Sequence, residues 1–250
     1  MPAGNDDISH DVAKALDVLL KRNIYSTMTS PVLIEVRLVP YDSTWIAMAR
    51  AEANRLFNFS KTYEDFENLW KDASEVLQPS EIDSVSSVSG YSGRRERDFF
   101  CHVGSTAVPG LPSKPYIDLL CPRLGDLNMA KAGYRKMGSY TREGDGTGWY
   151  LRKLVTPEAA IVGFIVHCYD PGAFEKALFV ATLRANPALR TEYAALKARL
   201  SSTTTDFQMY TIGKTKFIAK MRTEFEIPVF YGAYGCANFN APDSQRRGAL

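Results

Sequence analysis

The stretch that decides the fold is His102-Val103-Gly104-Ser105-Thr106-Ala107-Val108-Pro109-Gly110-Leu111-Pro112-Ser113-Lys114-Pro115-Tyr116-Ile117-Asp118. It begins at the end of a short apolar run, Phe99 to Val103, which reads as a strand. It ends inside a second run, Tyr116 to Cys121, which is apolar except for Asp118. Between them, Gly104-Ser105 makes a turn whose backbone N–H groups can approach an anion closely, and Pro109-Gly110-Leu111-Pro112 turns the chain again. A carboxylate on the neighbouring strand can then hold a cation beside that anion.

Working outward, Ile34, Val36 and Leu38 alternate with Glu35 and Arg37, so Val32 to Val39 is expected to be a half-covered strand. Tyr41-Asp42-Ser43-Thr44 reads as a turn and cap, and Trp45 to Phe57 as a helix. On the other side, Leu127 to Met137 reads as helix and Trp149 to Leu154 as strand. Ala160 to Tyr169 is a third apolar strand carrying His167. Two helical segments meet at Asn186-Pro187 within Phe174 to Leu200, and Tyr210 to Phe225 is expected as one last helix bearing Lys214, Lys216, Lys220 and Arg222.

The expected organisation is a helical extension at 1–30, a main domain at 31–228 and a tail at 229–250. Apolar residues recur at helical spacing from Ile8 to Leu20, and a Ser- and Gly-rich loop at 79–97 interrupts the domain and ends in Arg94, Arg95 and Arg97. With 250 residues and 45% apolar composition the chain can bury a sizeable core. A net charge of +2 forces no global polyanion reading, although a local patch can still bind one. Cys101, Cys121, Cys168 and Cys236 show no CxxC spacing and read as reduced core residues. No apolar run reaches the ~18 residues of a membrane span, and the polar, acidic N-terminus lacks a signal pattern, so a cytosolic protein without membrane contact is expected.

The seventeen-residue string closely resembles the GrpB family pattern HIGSTAVPGLxAKPxID. The resemblance extends over roughly Val32 to Ile218, through Val39-Pro40-Tyr41-Asp42, Tyr150-Leu151-Arg152-Lys153, His167, Leu183 to Pro187, Tyr193 with Lys197, and Tyr210-Thr211 with Lys214. It departs at Phe179 to Pro187, where the family's FRDYLRxHP has lost an Arg and an Asp. It implies an α/β domain of α+β type, with a nucleotidyltransferase-like mixed sheet flanked by helices. Within the family the chain resembles fungal synthases of arginine-containing cyclodipeptides, which use aminoacyl-tRNAs.

Two-metal nucleotidyl transfer needs carboxylates that clamp two cations, commonly two at i and i+2 on one strand. Here the i+2 partner of Asp118 is Leu120, and His167 is a poor ligand for Mg²⁺, so no metal and no cofactor is expected. The resemblance points instead to acyl transfer from arginyl-tRNA and a second aminoacyl-tRNA. His102, Ser105, Asp118 and His167 are the expected catalytic residues, and Gly104, Thr106, Lys114, Arg152, Lys153, Tyr210 and Lys214 the expected substrate-binding ones. Asp118 would hold an α-amine or guanidinium, and His102 or His167 would be the base. Ser105 is either a loop donor or a nucleophile, and Asp118 and the histidines can also be read as satisfied core groups. Nucleotide-dependent transfer and a non-catalytic anion-binding module are the other readings.

Overall fold

The structure is a computed structural model that describes residues 34–60, 65–76, 99–140, 146–170 and 172–224. The expected N-terminal helix, the 79–97 loop with its arginines, Cys236 and the 229–250 tail lie outside the described residues.

In chain order the helices are α1 (Thr44–Phe57), α2 (Phe66–Leu69), α3 (Asp126–Lys131), α4 (Ala173–Ala185), α5 (Pro187–Thr203), α6 (Phe207–Gly213) and α7 (Thr215–Glu224). The strands are β1 (Trp70–Lys71), β2 (Phe100–Val103), β3 (Tyr116–Cys121), β4 (Arg135–Gly138), β5 (Gly148–Glu158) and β6 (Ile161–Cys168). They form one mixed sheet in the order β1-β2-β3-β6-β5-β4. β3 and β6 lie parallel at its centre. A strand covered on both faces must be apolar almost throughout, which is why Tyr116 to Cys121 and Ile161 to Cys168 read as near-continuous apolar runs.

Because side chains alternate across a strand, residue parity assigns each one to a face. Ile117, Leu119, Cys121, Phe164, Val166 and Cys168 share one face and one core cluster with Trp45, Ala49, Ala53 and Leu56 of α1. The opposite face packs Cys101, Val103 and Leu120 against Val180 and Leu183 of α4, Leu189 and Tyr193 of α5, and Phe217 and Met221 of α7. The result is the expected mixed sheet flanked by helices.

Local chemistry fixes the joints. The Asp42 carboxylate accepts from the Thr44 backbone N–H at 2.8 Å at the start of α1, and the Trp45 indole donates to the Ala159 carbonyl at 2.8 Å. Asn186 caps α5 by accepting from the Leu189 N–H at 3.0 Å, with Pro187 in the first turn where no N–H is needed. Cys101, Cys121 and Cys168 are buried as thiols, with the Cys121 and Cys168 Sγ atoms 3.1 Å apart.

Four expectations are corrected. Around Val32 to Val39 the described residues hold no strand. Ile34 and Val36 are buried as their alternation predicts, but the only sheet-like pairing is an isolated bridge from Val39 to Ser113. The helix expected to Met137 stops at Lys131, because Gly133 at φ +82° ends it and releases Arg135–Gly138 as β4. β5 runs on to Glu158 and returns through Ala159 and Ala160, both at positive φ, a two-residue hairpin turn without the usual Asn-Gly signal. The last helix is two, α6 and α7, parted at Lys214. Gly213 lets α6 cross α5 closely there, where a Cβ would collide with Leu200.

Candidate functional site

Asp118 and His167 come from the two central strands. Their register sets Asp118 opposite Ile165 and Leu120 opposite His167, so both side chains project from the same face. His167 Nε2 lies 3.4 Å from Asp118 Oδ1. The other ring nitrogen, Nδ1, is 2.6 Å from the Tyr140 hydroxyl and 3.5 Å from Asp170 Oδ2. The Nδ1 side is thus anchored, and Nε2 is the nitrogen that faces Asp118.

Asp170 reaches this position because Tyr169, at φ +51°, bends the chain sharply just after β6. Its carboxylate accepts from the Gly172 backbone N–H at 2.7 Å and from Lys176 Nζ at 2.6 Å. Burial alone would raise its pKa, but the charges of Lys176 and His167 and these hydrogen bonds outweigh burial and hold it down at about 2. Asp170 therefore stays ionised behind His167.

Asp118 sits against the signature turn. Gly104 has φ +71°, and a Cβ there would lie 2.5 Å from Asp118 Oδ2. Only glycine lets the turn pass so close to the carboxylate. Asp118 keeps 29% of its side chain exposed although groups from several elements surround it, so it lies in a recess open to solvent. Burial pushes its pKa up, but the His167 hydrogen bond and the charges of His167, Lys114 and Lys214 prevail and hold it below the ordinary value.

Ser105 opens a single 3₁₀ turn and hydrogen-bonds Tyr193, a buried residue of α5 whose ring stacks on Phe217 at 4.8 Å. Arg184 of α4 clamps the same turn. Its Nε donates to the Ala107 carbonyl at 2.9 Å and its Nη1 to both oxygens of Asp72 at 2.8 Å.

Three lysines converge on the recess. Lys114 Nζ lies 4.0 Å from the centroid of Phe207 and 5.5 Å from that of Tyr210, and Lys214 Nζ lies 4.8 Å from that of Tyr210. Lys197, only 1% exposed, donates to the Pro112 carbonyl. Burial and the neighbouring Lys214 charge lower Lys114 to about 7, although Asp118 pulls the other way. Burial lowers Lys214 to about 8, again against the pull of Asp118. Burial and the charges of Lys214 and Lys114 push Lys197 well down.

The structure therefore brings together Gly104, Ser105, Asp118, His167, Lys114, Tyr210 and Lys214. It does not bring in the rest. His102 pairs with Leu119, so it lies on the opposite face of the sheet from Asp118. It is buried, with Nε2 3.0 Å from Thr106 Oγ1, Nδ1 without a partner among the described residues, and a pKa driven by burial down to about 3. It is a neutral histidine that props the turn from the other face of the sheet. Thr106, 1% exposed, is its partner. Arg152 also lies on the opposite face, paired with Phe164, and grips Glu52 through Nε at 3.0 Å and Nη2 at 2.6 Å. Lys153 shares the face of Asp118 but is an exposed residue of β5, opposite Gly163.

Sequence reading missed Lys197, Tyr193, Asp170, Lys176 and Tyr140 as site residues. Leu189, Tyr193 and Lys197 recur at i+4 along α5, so a lysine in line with a buried stripe was a readable signal. Nothing comparable marks Tyr140. Among the described residues no group of three or more His, Cys, Asp or Glu side chains is arranged to hold a metal ion. Also among them, no helix is long and apolar enough to cross a membrane.

Residues 35–224 match the family model described as GrpB protein. A UPF0157 protein of Deinococcus radiodurans is 29% identical over 124 residues, 48% of this chain and 63% of the relative. The UPF0157 protein YqkA of Bacillus subtilis is 32% identical over 122 residues, 47% of this chain and 35% of the relative. The match thus spans less than two thirds of either relative's length. The crystal structure of the conserved protein GrpB from Enterococcus faecalis superposes with a TM-score of 0.50 at 22% identity, covering 75% of this chain and 96% of that one. That likeness bears on the fold alone.

Proposed function

The chain belongs to the GrpB family, and from that premise we propose that it is an acyl-transferring enzyme, an aminoacyl-tRNA-dependent synthase of an arginine-containing diketopiperazine. The observation that carries this reading is the Asp118–His167 pair on one face of β3 and β6, with the far nitrogen of His167 held by Tyr140 and Asp170. A carboxylate that stays ionised suits an ammonium or a guanidinium, which it can grip through two oxygens. A histidine anchored at Nδ1 presents Nε2 for proton transfer.

The esters of aminoacyl-tRNAs are already activated, so the enzyme must mainly position the reactants, move protons and stabilise an oxyanion. The α-amine of one aminoacyl group attacks the ester carbonyl of the other, and the 3′-oxygen of that tRNA leaves. The amine of the resulting dipeptidyl ester then attacks the remaining ester carbonyl, closing the ring and releasing the second tRNA. Each step makes one C–N bond, breaks one C–O bond and transfers one proton from nitrogen to the departing oxygen. Asp118 holds the arginyl or α-amino group, and His167 Nε2 relays the proton. Ser105, oriented by Tyr193, donates to the developing oxyanion. The test is to incubate the purified protein with labelled arginyl-tRNA and a second aminoacyl-tRNA. TRNA release faster than spontaneous ester hydrolysis, coupled to a cyclic product, supports the reading.

A nucleotide-dependent transfer is the second reading, favoured by the close approach of the Gly104-Ser105 turn to Asp118. It predicts turnover that needs nucleotide and Mg²⁺ and not charged tRNA. A module that binds an anion without catalysis would show binding and no turnover with either substrate.

A further inference from the structure

Lys114, Lys197 and Lys214 come from three separate segments: the loop before β3, helix α5 and the α6–α7 junction. Among the described residues no carboxylate lies within ion-pair distance of any of them, although other surface cations of the chain, such as Lys136, Lys176 and Lys220, are paired. Among the described residues Lys114 and Lys214 lie against aromatic faces, and Lys197 meets the Pro112 carbonyl and the Tyr193 ring, 5.1 Å from its centroid. Among the described residues the carboxylate that acts on Lys114 and Lys214 is Asp118, which is already engaged by His167.

Three ammonium groups within coulombic reach of one another in a partly desolvated recess repel each other and lose hydration, so their protonated forms are disfavoured until something anionic occupies the space between them. Asp118 can offset one positive charge at most. The excess fits a ligand with more than one negative charge, and a lysine ammonium serves a phosphate as a point charge.

We propose that Lys114, Lys197 and Lys214 form a subsite for a phosphoryl group, carried either by a free nucleotide or by the end of an RNA strand, beside Asp118. This subsite stands whether or not the protein transfers acyl groups, since the lysines meet beside Asp118 in either case. Lys197 also ties down the signature loop through Pro112, so Lys114 and Lys214 are the positions to test.

The site also sets a pH dependence. The titratable groups facing it are Asp118 from β3, His167 from β6, Tyr193 and Lys197 from α5, Tyr210 from α6 and Lys214 from the junction. Both tyrosines are raised above their ordinary value by burial and stay neutral. A bound phosphate favours protonated lysines, so binding takes up protons as pH rises past about 7 and affinity falls.

Calorimetric titration with pyrophosphate, ATP and a CCA trinucleotide, all without divalent metal, tests this at about pH 6 and about pH 9. The expected result is binding at the lower pH that weakens roughly tenfold or more at the higher, with proton uptake seen as a dependence on buffer ionisation enthalpy. Lys114→Met and Lys214→Met should each weaken it by a similar factor in folded protein, and Lys214→Arg should restore part of it. Preference for ATP identifies a free nucleotide as the source, and preference for the trinucleotide an RNA end. No binding of any probe at millimolar concentration to folded wild type overturns the proposal, as does binding that ignores both substitutions. Loss of cyclic-dipeptide activity alone leaves it standing, because the readout requires no turnover.

Discussion

Gly104 and Asp118 touch: the turn after β2 passes so near the carboxylate that a methyl group on Gly104 would lie 2.5 Å from Asp118 Oδ2. The residue pair that sequence reading places at the two ends of one motif is therefore a single packed unit, and the glycine is what sets the depth of the carboxylate.

Gly104→Ala should accordingly be costly twice, through its φ of +71° and through the clash. The expected loss is about 1–3 kcal/mol in urea denaturation, with any residual activity falling much further because Asp118 must move. Wild-type stability and activity in this variant would show that the contact does not matter.

Lys114 carries a stability penalty that can be removed. Its folded-state pKa of about 7 lies below the ordinary 10.5, so between those values the unfolded chain binds more protons and stability rises with pH. The penalty is therefore full below about pH 7 and gone above the unfolded value. Lys114→Met should raise Tm by roughly 2–4 °C near pH 6, with the gain shrinking toward pH 10. A variant less stable than wild type at pH 6 would contradict this account.

Asp170 works in the opposite sense. Its pKa is depressed to about 2 from 3.8, so the stability it contributes is complete above about pH 4 and is lost as pH falls toward 2. Asp170→Asn should lower Tm at neutral pH and flatten its decline across that window. Parallel melting profiles for the two proteins would refute the assignment.

Arg152 belongs to the buried charge network of the other face, where Glu52 also receives Arg55 at 2.6 Å and Tyr134 at 2.7 Å. Glu52→Gln leaves two arginines uncompensated and should cost on the order of 3–5 kcal/mol. Arg152→Met should reduce stability without weakening pyrophosphate binding. A binding defect at full stability would return Arg152 to the substrate side.

The fold was largely legible because its central strands obey simple patterning. Tyr116–Cys121 and Ile161–Cys168 announce themselves as apolar runs, and Asn186-Pro187 as a helix boundary. The departures from patterning are local. Gly133 cuts a helical pattern short, and the alternating Val32 to Val39 meets its neighbours through one bridge instead of a ladder. Of the site, the Gly-Ser turn, Asp118 and His167 could be read from one motif and one strand. His102 could not be sorted from His167, because the two differ in which face of the sheet they occupy, and that is set by register between strands rather than by sequence neighbours. Lys114 and Lys214 were readable from the family motif and Lys197 from its place in the α5 stripe, but their convergence comes through tertiary packing, and Asp170 is placed by the positive-φ turn at Tyr169, neither of which periodicity encodes.

The central claim, that the Asp118–His167 face carries acyl transfer, is tested most directly by mass spectrometry of reactions containing charged tRNAs and wild type, Asp118→Asn or His102→Gln. The account predicts an arginine-containing cyclic dipeptide from wild type, a loss on the order of 100-fold or more in Asp118→Asn, and product retained by folded His102→Gln. Folded wild-type protein that makes no cyclic dipeptide from intact aminoacyl-tRNAs, or an Asp118→Asn variant as active as wild type, would contradict it.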